Sequence, residues 1–126
     1  MKHSRLFLLL TPLILFMCFG CAEKQMYYLG NYSQTLYSLE KNRDDDALLK
    51  HKQELKTIIS QSEERNLPVP PGIYAELGYI ELKENKPKEA IRLFRAESRL
   101  YPESKPFMTR LIQNAKLREQ NSSDSN

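Results

Sequence analysis

An all-α fold of about five short helices is the fold class this sequence predicts, and three observations predict it. Beyond Tyr32, apolar residues recur at steps of three and four. No stretch sustains the apolar–polar alternation of a strand. Prolines and polar clusters cut the periodic segments at helix-sized intervals. The chain has 126 residues, 40% hydrophobic and 28% charged, with a formal net charge of +3. That balance is too apolar for a wholly disordered chain and too polar for a multispan membrane protein.

The first helix is expected from Ser33 to about Lys41, with Leu36, Tyr37 and Glu40 near helical spacing. A polar break over 42–46 follows, where Asp44 or Asp45 can cap the next helix by accepting unpaired backbone N–H groups. The second helix runs from about Asp46 to Glu64. Leu48, Leu55, Ile58 and Ile59 share one face, and Lys50, Lys52, Glu54, Lys56 and Glu63 mostly face out. Pro68, Pro70 and Pro71 must interrupt it, because proline lacks a backbone donor and disfavours helix in the residue before it.

A third helix is expected from Ile73 to Glu84 and a fourth from Pro87, suited to a first turn, to Leu100. Tyr101-Pro102 stops it. Ser104 can cap a fifth, terminal capping helix reaching about Arg118, with Pro106 in its first turn. Phe107, Met108, Leu111, Ile112 and Ala115 form its apolar stripe. The helical domain thus covers 32–118, and 119–126 reads as a disordered polar tail.

The start of the chain is an address. Lys2 and Arg5 precede an apolar run from Leu6 to Phe19, the n-region and h-region of a secretory signal. The run is shorter than the roughly 20 residues a spanning helix needs, and Pro12 interrupts it. Gly20-Cys21 at its end resembles the bacterial lipobox, with Cys18 and Phe19 as departures. By that resemblance residues 1–20 are a lipoprotein signal peptide, Cys21 is acylated, and 21–31 form a lipidated tether. The alternative is an ordinary secreted protein with a free Cys near its start. Several acyl chains together anchor stably where one holds only marginally. In a two-membrane organism, Ala22 after the acylated Cys resembles the signal for the outer membrane, facing the periplasm.

Tyr74, Leu77, Gly78, Ala90, Phe94 and Pro102 resemble the tetratricopeptide repeat in type and spacing. In such a hairpin Gly78 and Ala90 let the helices approach, Tyr74, Leu77 and Phe94 fill the seam, and Pro102 ends the unit. Glu81 stands where the pattern has an aromatic and Glu97 where it has a small residue. Leu29-Gly30 echoes Leu77-Gly78, and residues 33–64 read as a degenerate second hairpin.

A closer resemblance rests on longer runs: 69–79 (VPPGIYAELGY), 101–108 (YPESKPFM) with Arg110-Leu111-Ile112, and Tyr28-Leu29-Gly30-Asn31-Tyr32. These are similar to a family of small bacterial lipoproteins known only as a domain of unknown function. The resemblance implies a helical, periplasm-facing lipoprotein without catalytic activity. Members are often encoded beside a lipoprotein similar to the curli secretion channel, which implies an outer-membrane assembly partner.

The chemistry-bearing residues suggest no enzyme, cofactor or metal site. His51 has no partner at ligand spacing and reads as a surface or boundary histidine. Asp44-Asp45-Asp46 lacks the rest of a calcium loop and reads as a cap. Glu63-Glu64 are adjacent and point apart, while Glu76 and Glu81 have no nucleophile beside them.

Two features remain as partner contacts. Lys88, Arg92, Arg95 and Arg99 recur at helical steps as a basic stripe, which reads otherwise as a solvated face partly paired through Glu89 and Glu103. Tyr27, Tyr28, Tyr32 and Tyr37 crowd beside the anchor, either as a first-layer core packed on the helical domain or to dock a partner or the membrane interface. The expectation is a lipid-anchored envelope adaptor making protein–protein contacts. The alternative is a binder of peptidoglycan or anionic lipid through the stripe. Nucleic acid is excluded by compartment.

Overall fold

The computed structural model describes residues 26–123. The expected signal segment, residues 21–25 of the tether with Cys21, and the last three residues of the tail lie outside them. Five α-helices follow in order: α1 Tyr32–Asn42, α2 Asp45–Glu64, α3 Ile73–Lys83, α4 Pro87–Leu100 and α5 Lys105–Ser123. A 3-10 turn, Pro102–Ser104, joins α4 to α5. The fold is all-helical, with no strand among the described residues.

Local chemistry sets the boundaries. The Asp44 carboxylate accepts the Ala47 N–H at 2.7 Å and starts α2. Arg43, Asn66 and Asn85 carry positive φ just after α1, α2 and α3, the left-handed step with which helices commonly end. Pro87 sits in the first turn of α4, where its missing N–H removes no helical bond.

α1 and α3 have no side-chain cap of their own, and each is served from the helix that follows it. Glu54 of α2 accepts the backbone N–H of Asn31 at 2.7 Å, and Glu97 of α4 accepts that of Gly72 at 2.8 Å. Gly30 and Gly72 just before these helices both have positive φ, 46° and 89°, a region open to glycine at little cost. The two hairpins, α1–α2 and α3–α4, therefore repeat one device. Gly30 corresponds in this respect to Gly72 rather than to Gly78, because the echo lies in backbone conformation and not in the Leu-Gly pair.

α4 is shared by two core clusters. Leu93 joins Leu55, Ile58, Val69, Ile73, Tyr74, Leu77 and Ile80, with Tyr28 and Tyr32 packed against them. Ala90, Ile91 and Phe94 join Leu82, Met108 and Ala115. At Gly78 an added Cβ would lie 2.7 Å from Phe94 Cε1 and 3.2 Å from Leu93 Cβ, so only a bare Cα lets α3 and α4 approach this closely.

Several expectations are corrected. α5 runs to Ser123 rather than Arg118. Arg118, Glu119 and Gln120 are good helix formers, and Glu119 reaches back to Lys88 at 3.8 Å. The Ser104 hydroxyl donates to the Tyr101 carbonyl at 2.7 Å and closes the turn that leads into α5. Phe107 is 61% exposed, because one step along the helix rotates it about 100° from buried Met108.

Candidate functional site

Buried polar groups come first, since sequence alone misplaces them. His51 is fully buried, not a surface residue. Its Nε2 lies 2.9 Å from Glu76 Oε1 and its Nδ1 2.8 Å from Thr35 Oγ1. The Tyr32 hydroxyl donates to the other Glu76 oxygen at 2.9 Å. Burial, and then this bond to Glu76, pushes the Tyr32 hydroxyl up to about 12. Four side chains from α1, α2 and α3 thus close one network that ties the hairpins together.

Lys52 is buried too, contrary to its outward assignment. Its amine lies 3.0 Å from Glu81 and 2.7 Å from Glu84, with Lys86 at 3.6 Å from Glu81. Hydrogen bonds from Lys52 and Lys86 hold the Glu84 carboxyl down at about 2. Glu81 replaces an aromatic of the repeat pattern because cationic side chains converge on it. A buried charge is tolerable only when paired in this way.

Glu97 likewise replaces a small residue because it caps α3 through Gly72. Its second oxygen and Ser62 Oγ are buried without a hydrogen-bond partner among the described residues. The Tyr101 hydroxyl donates to the Val69 carbonyl at 2.5 Å and secures the same loop. Burial, followed by contact with Tyr27, pushes that hydroxyl far above its ordinary value.

The tyrosine segment divides. Tyr28 and Tyr32 pack on the core, and the Arg65 guanidinium stacks 4.3 Å over the Tyr28 ring. Tyr27 is half-buried beside Tyr101. Tyr37 is exposed. Three of the four residues proposed as partner contacts therefore face the protein's own interior.

The basic stripe divides as well. Arg92 forms a two-pronged bond to Glu89, at 2.6 and 3.0 Å, which raises the Arg92 pKa and lowers that of Glu89. Lys88 lies within reach of Glu119. Arg95 and Arg99 instead open, with Ser98, onto a groove of about 520 Å³ whose far wall is Lys105, Thr109 and Ile112 of α5. Among the described residues no carboxylate lines it. Lys105 belongs to this site although no α4 periodicity signals it, because the 3-10 turn folds α5 back beside α4.

A second, apolar pocket of about 340 Å³ lies among Leu39, Leu48, Tyr79 and Ile80, with Glu76, Lys83 and Glu84 at its edges. The repeat-pattern residues sit inside the fold: Tyr74, Leu77, Gly78, Ala90 and Phe94 are buried, and Pro102 opens the 3-10 turn. Asp44 acts as a cap and Asp46 pairs with Lys50. Glu63 receives the Tyr74 hydroxyl at 3.4 Å, and Glu64 the Gln61 amide.

Residues 26–111 match the family model described as a domain of unknown function, DUF4810, and the chain belongs to that family. No curated protein and no solved structure matches it.

Proposed function

We propose that this member of the DUF4810 family is a lipid-anchored adaptor of the cell envelope. In this reading acyl chains on Cys21 hold it to the outer membrane, facing the periplasm. Two tetratricopeptide-like hairpins and the terminal helix α5 present a surface to another envelope protein. An outer-membrane secretion or assembly component, similar to the curli channel, is the proposed partner.

The observation that carries the reading is the α4–α5 groove. Arg95, Arg99 and Lys105 surround it, and no carboxylate among the described residues lines it, whereas the cations at the other end of the stripe are paired internally. Desolvating three like charges without a counter-charge is unfavourable, so the groove suits an anionic partner rather than closure within the fold. The engagement of His51, Glu76 and Glu81 in structural pairs supports a binding protein over an enzyme.

Pull-down from gently solubilised membranes tests this directly. The expected result is specific recovery of an envelope protein, and recovery of none would sink the adaptor reading. Cys21→Ser is expected to release the protein from membranes, and persistent anchoring would refute the lipid attachment. The second reading, a binder of peptidoglycan or anionic lipid, draws on the same cations. It predicts retention on those polymers or vesicles with no protein recovered.

A further inference from the structure

We propose that the α4–α5 groove is the docking site for an extended acidic segment of the partner protein, gripped by Arg95, Arg99 and Lys105. This rests on the adaptor reading and adds the chemistry and register of what is bound.

Spacing is the first argument. Arg95 and Arg99 stand one helical turn apart, about 6 Å along α4. Alternate residues of an extended chain project to the same side roughly 7 Å apart. Two acidic residues separated by one other therefore meet both guanidiniums, each of which can take a carboxylate in a two-pronged bond. Lys105 and Thr109 are one turn apart on the opposite wall and receive what the strand presents to that side.

The rest of the lining fits a peptide. The Ser98 hydroxyl donates its proton to the Phe94 carbonyl at 3.0 Å, which leaves its oxygen free to accept a backbone N–H. Ile112 supplies a half-buried apolar wall.

Helix geometry separates this occupant from a lipid surface. An interfacial helix carries Lys and Arg on its polar face and inserts the apolar side chains of the other face into the bilayer. Beside the lining residues in sequence stand two exposed apolar side chains, Leu100, 47% exposed, and Phe107, 61% exposed. Leu100 is rotated about 100° from Arg99, and Phe107 about 200° from Lys105. With Phe107 turned away, a lipid surface laid on the groove would be held by its cations with little apolar insertion to help them.

The test titrates the detergent-solubilised full-length protein into a fluorescein-labelled dodecapeptide alternating Glu and Thr, read by fluorescence anisotropy. Binding should weaken as salt rises. Arg95→Glu with Arg99→Glu should raise Kd about tenfold or more, whereas Lys88→Glu with Arg92→Glu, the same change in charge, should alter it less than about twofold. Arg95→Gln with Arg99→Gln should weaken it in the same direction, and unchanged far-UV circular dichroism shows that each variant is folded. A peptide of equal composition with Glu and Thr in separate blocks should bind more weakly.

Equal Kd for the two charge-reversed pairs overturns the proposal. So does displacement of the peptide by phosphatidylglycerol vesicles or by inorganic phosphate at matched charge. Membrane pull-down with the Arg95→Glu, Arg99→Glu, Lys105→Glu variant separates the two readings. A partner recovered as well as by wild type leaves the adaptor standing and sinks the groove, whereas recovery by neither sinks the adaptor.

Discussion

Replacing Gly78 by Ala tests whether the α3–α4 seam is as tight as the structure has it. Within a helix, Ala is favoured over Gly by about 1 kcal/mol, so an open site would make this substitution stabilising. Here the new methyl would lie 2.7 and 2.9 Å from two atoms of the Phe94 ring and 3.2 Å from Leu93 Cβ. Phe94 is fully buried and cannot swing into solvent. Overpacking of this kind costs about 1–3 kcal/mol. Subtracting the propensity gain leaves a net loss of about 0–2 kcal/mol, and the upper half of that range, about 1–2 kcal/mol, is expected because the ring has nowhere to go. For a domain this size that lowers Tm by roughly 5–10 °C, measured by circular dichroism at increasing temperature. Phe94→Leu opens the seam, so in the Gly78→Ala background it should cost about 1 kcal/mol less than in wild type. An unchanged or raised Tm for Gly78→Ala, together with additive double-mutant values, would refute the close approach.

Lys52→Met leaves Glu81 buried beside weaker partners and should cost about 3 kcal/mol in urea unfolding, most of it recovered by adding Glu81→Leu. At acid pH, Glu84 contributes through its lowered pKa: its folded value is about 2 against 4.5 unpaired. That contribution is present above pH 4.5 and is lost as pH falls towards 2. Glu84→Gln should therefore flatten the fall of the urea midpoint across that window. Tyr101→Phe removes the donor to the Val69 carbonyl and should cost about 1–2 kcal/mol, with faster proteolysis of the 65–72 loop.

The helices were legible because their ends carry local signals. Asp44 caps, Pro87 fits a first turn, and Pro68, Pro70 and Pro71 forbid continuation, all within a few residues of the boundary they mark. Burial of charged residues was not legible. His51 sits between Lys50 and Lys52, and nothing near it announces that Glu76 arrives from 25 residues away or that Glu84 meets Lys52 across 32. The two departures from the repeat pattern, Glu81 and Glu97, read as damage in one dimension. In three they are a buried ion-pair centre and a helix cap. The basic stripe was visible as periodicity and Glu89 as a partner within one turn of Arg92, but the partner of Lys88 was not, because Glu119 lies on a helix expected to have ended. For the tyrosines beside the anchor the residues left core packing and partner docking both open, since exposure cannot be read from residue type. Only packing shows that Tyr28 and Tyr32 are core.

The central claim is that this protein contacts another envelope protein through the α4–α5 groove. A photo-activatable phenylalanine analogue in place of Thr109, on the groove wall, tests it most directly in intact cells. Placed at Phe107 instead, about 200° around the same helix, it is the control. The account predicts a light-dependent adduct with one envelope protein from position 109, absent from 107 and lost when Arg95 and Arg99 are changed to Glu. Adducts only with lipid or peptidoglycan, or equal protein adducts from both positions, would contradict it.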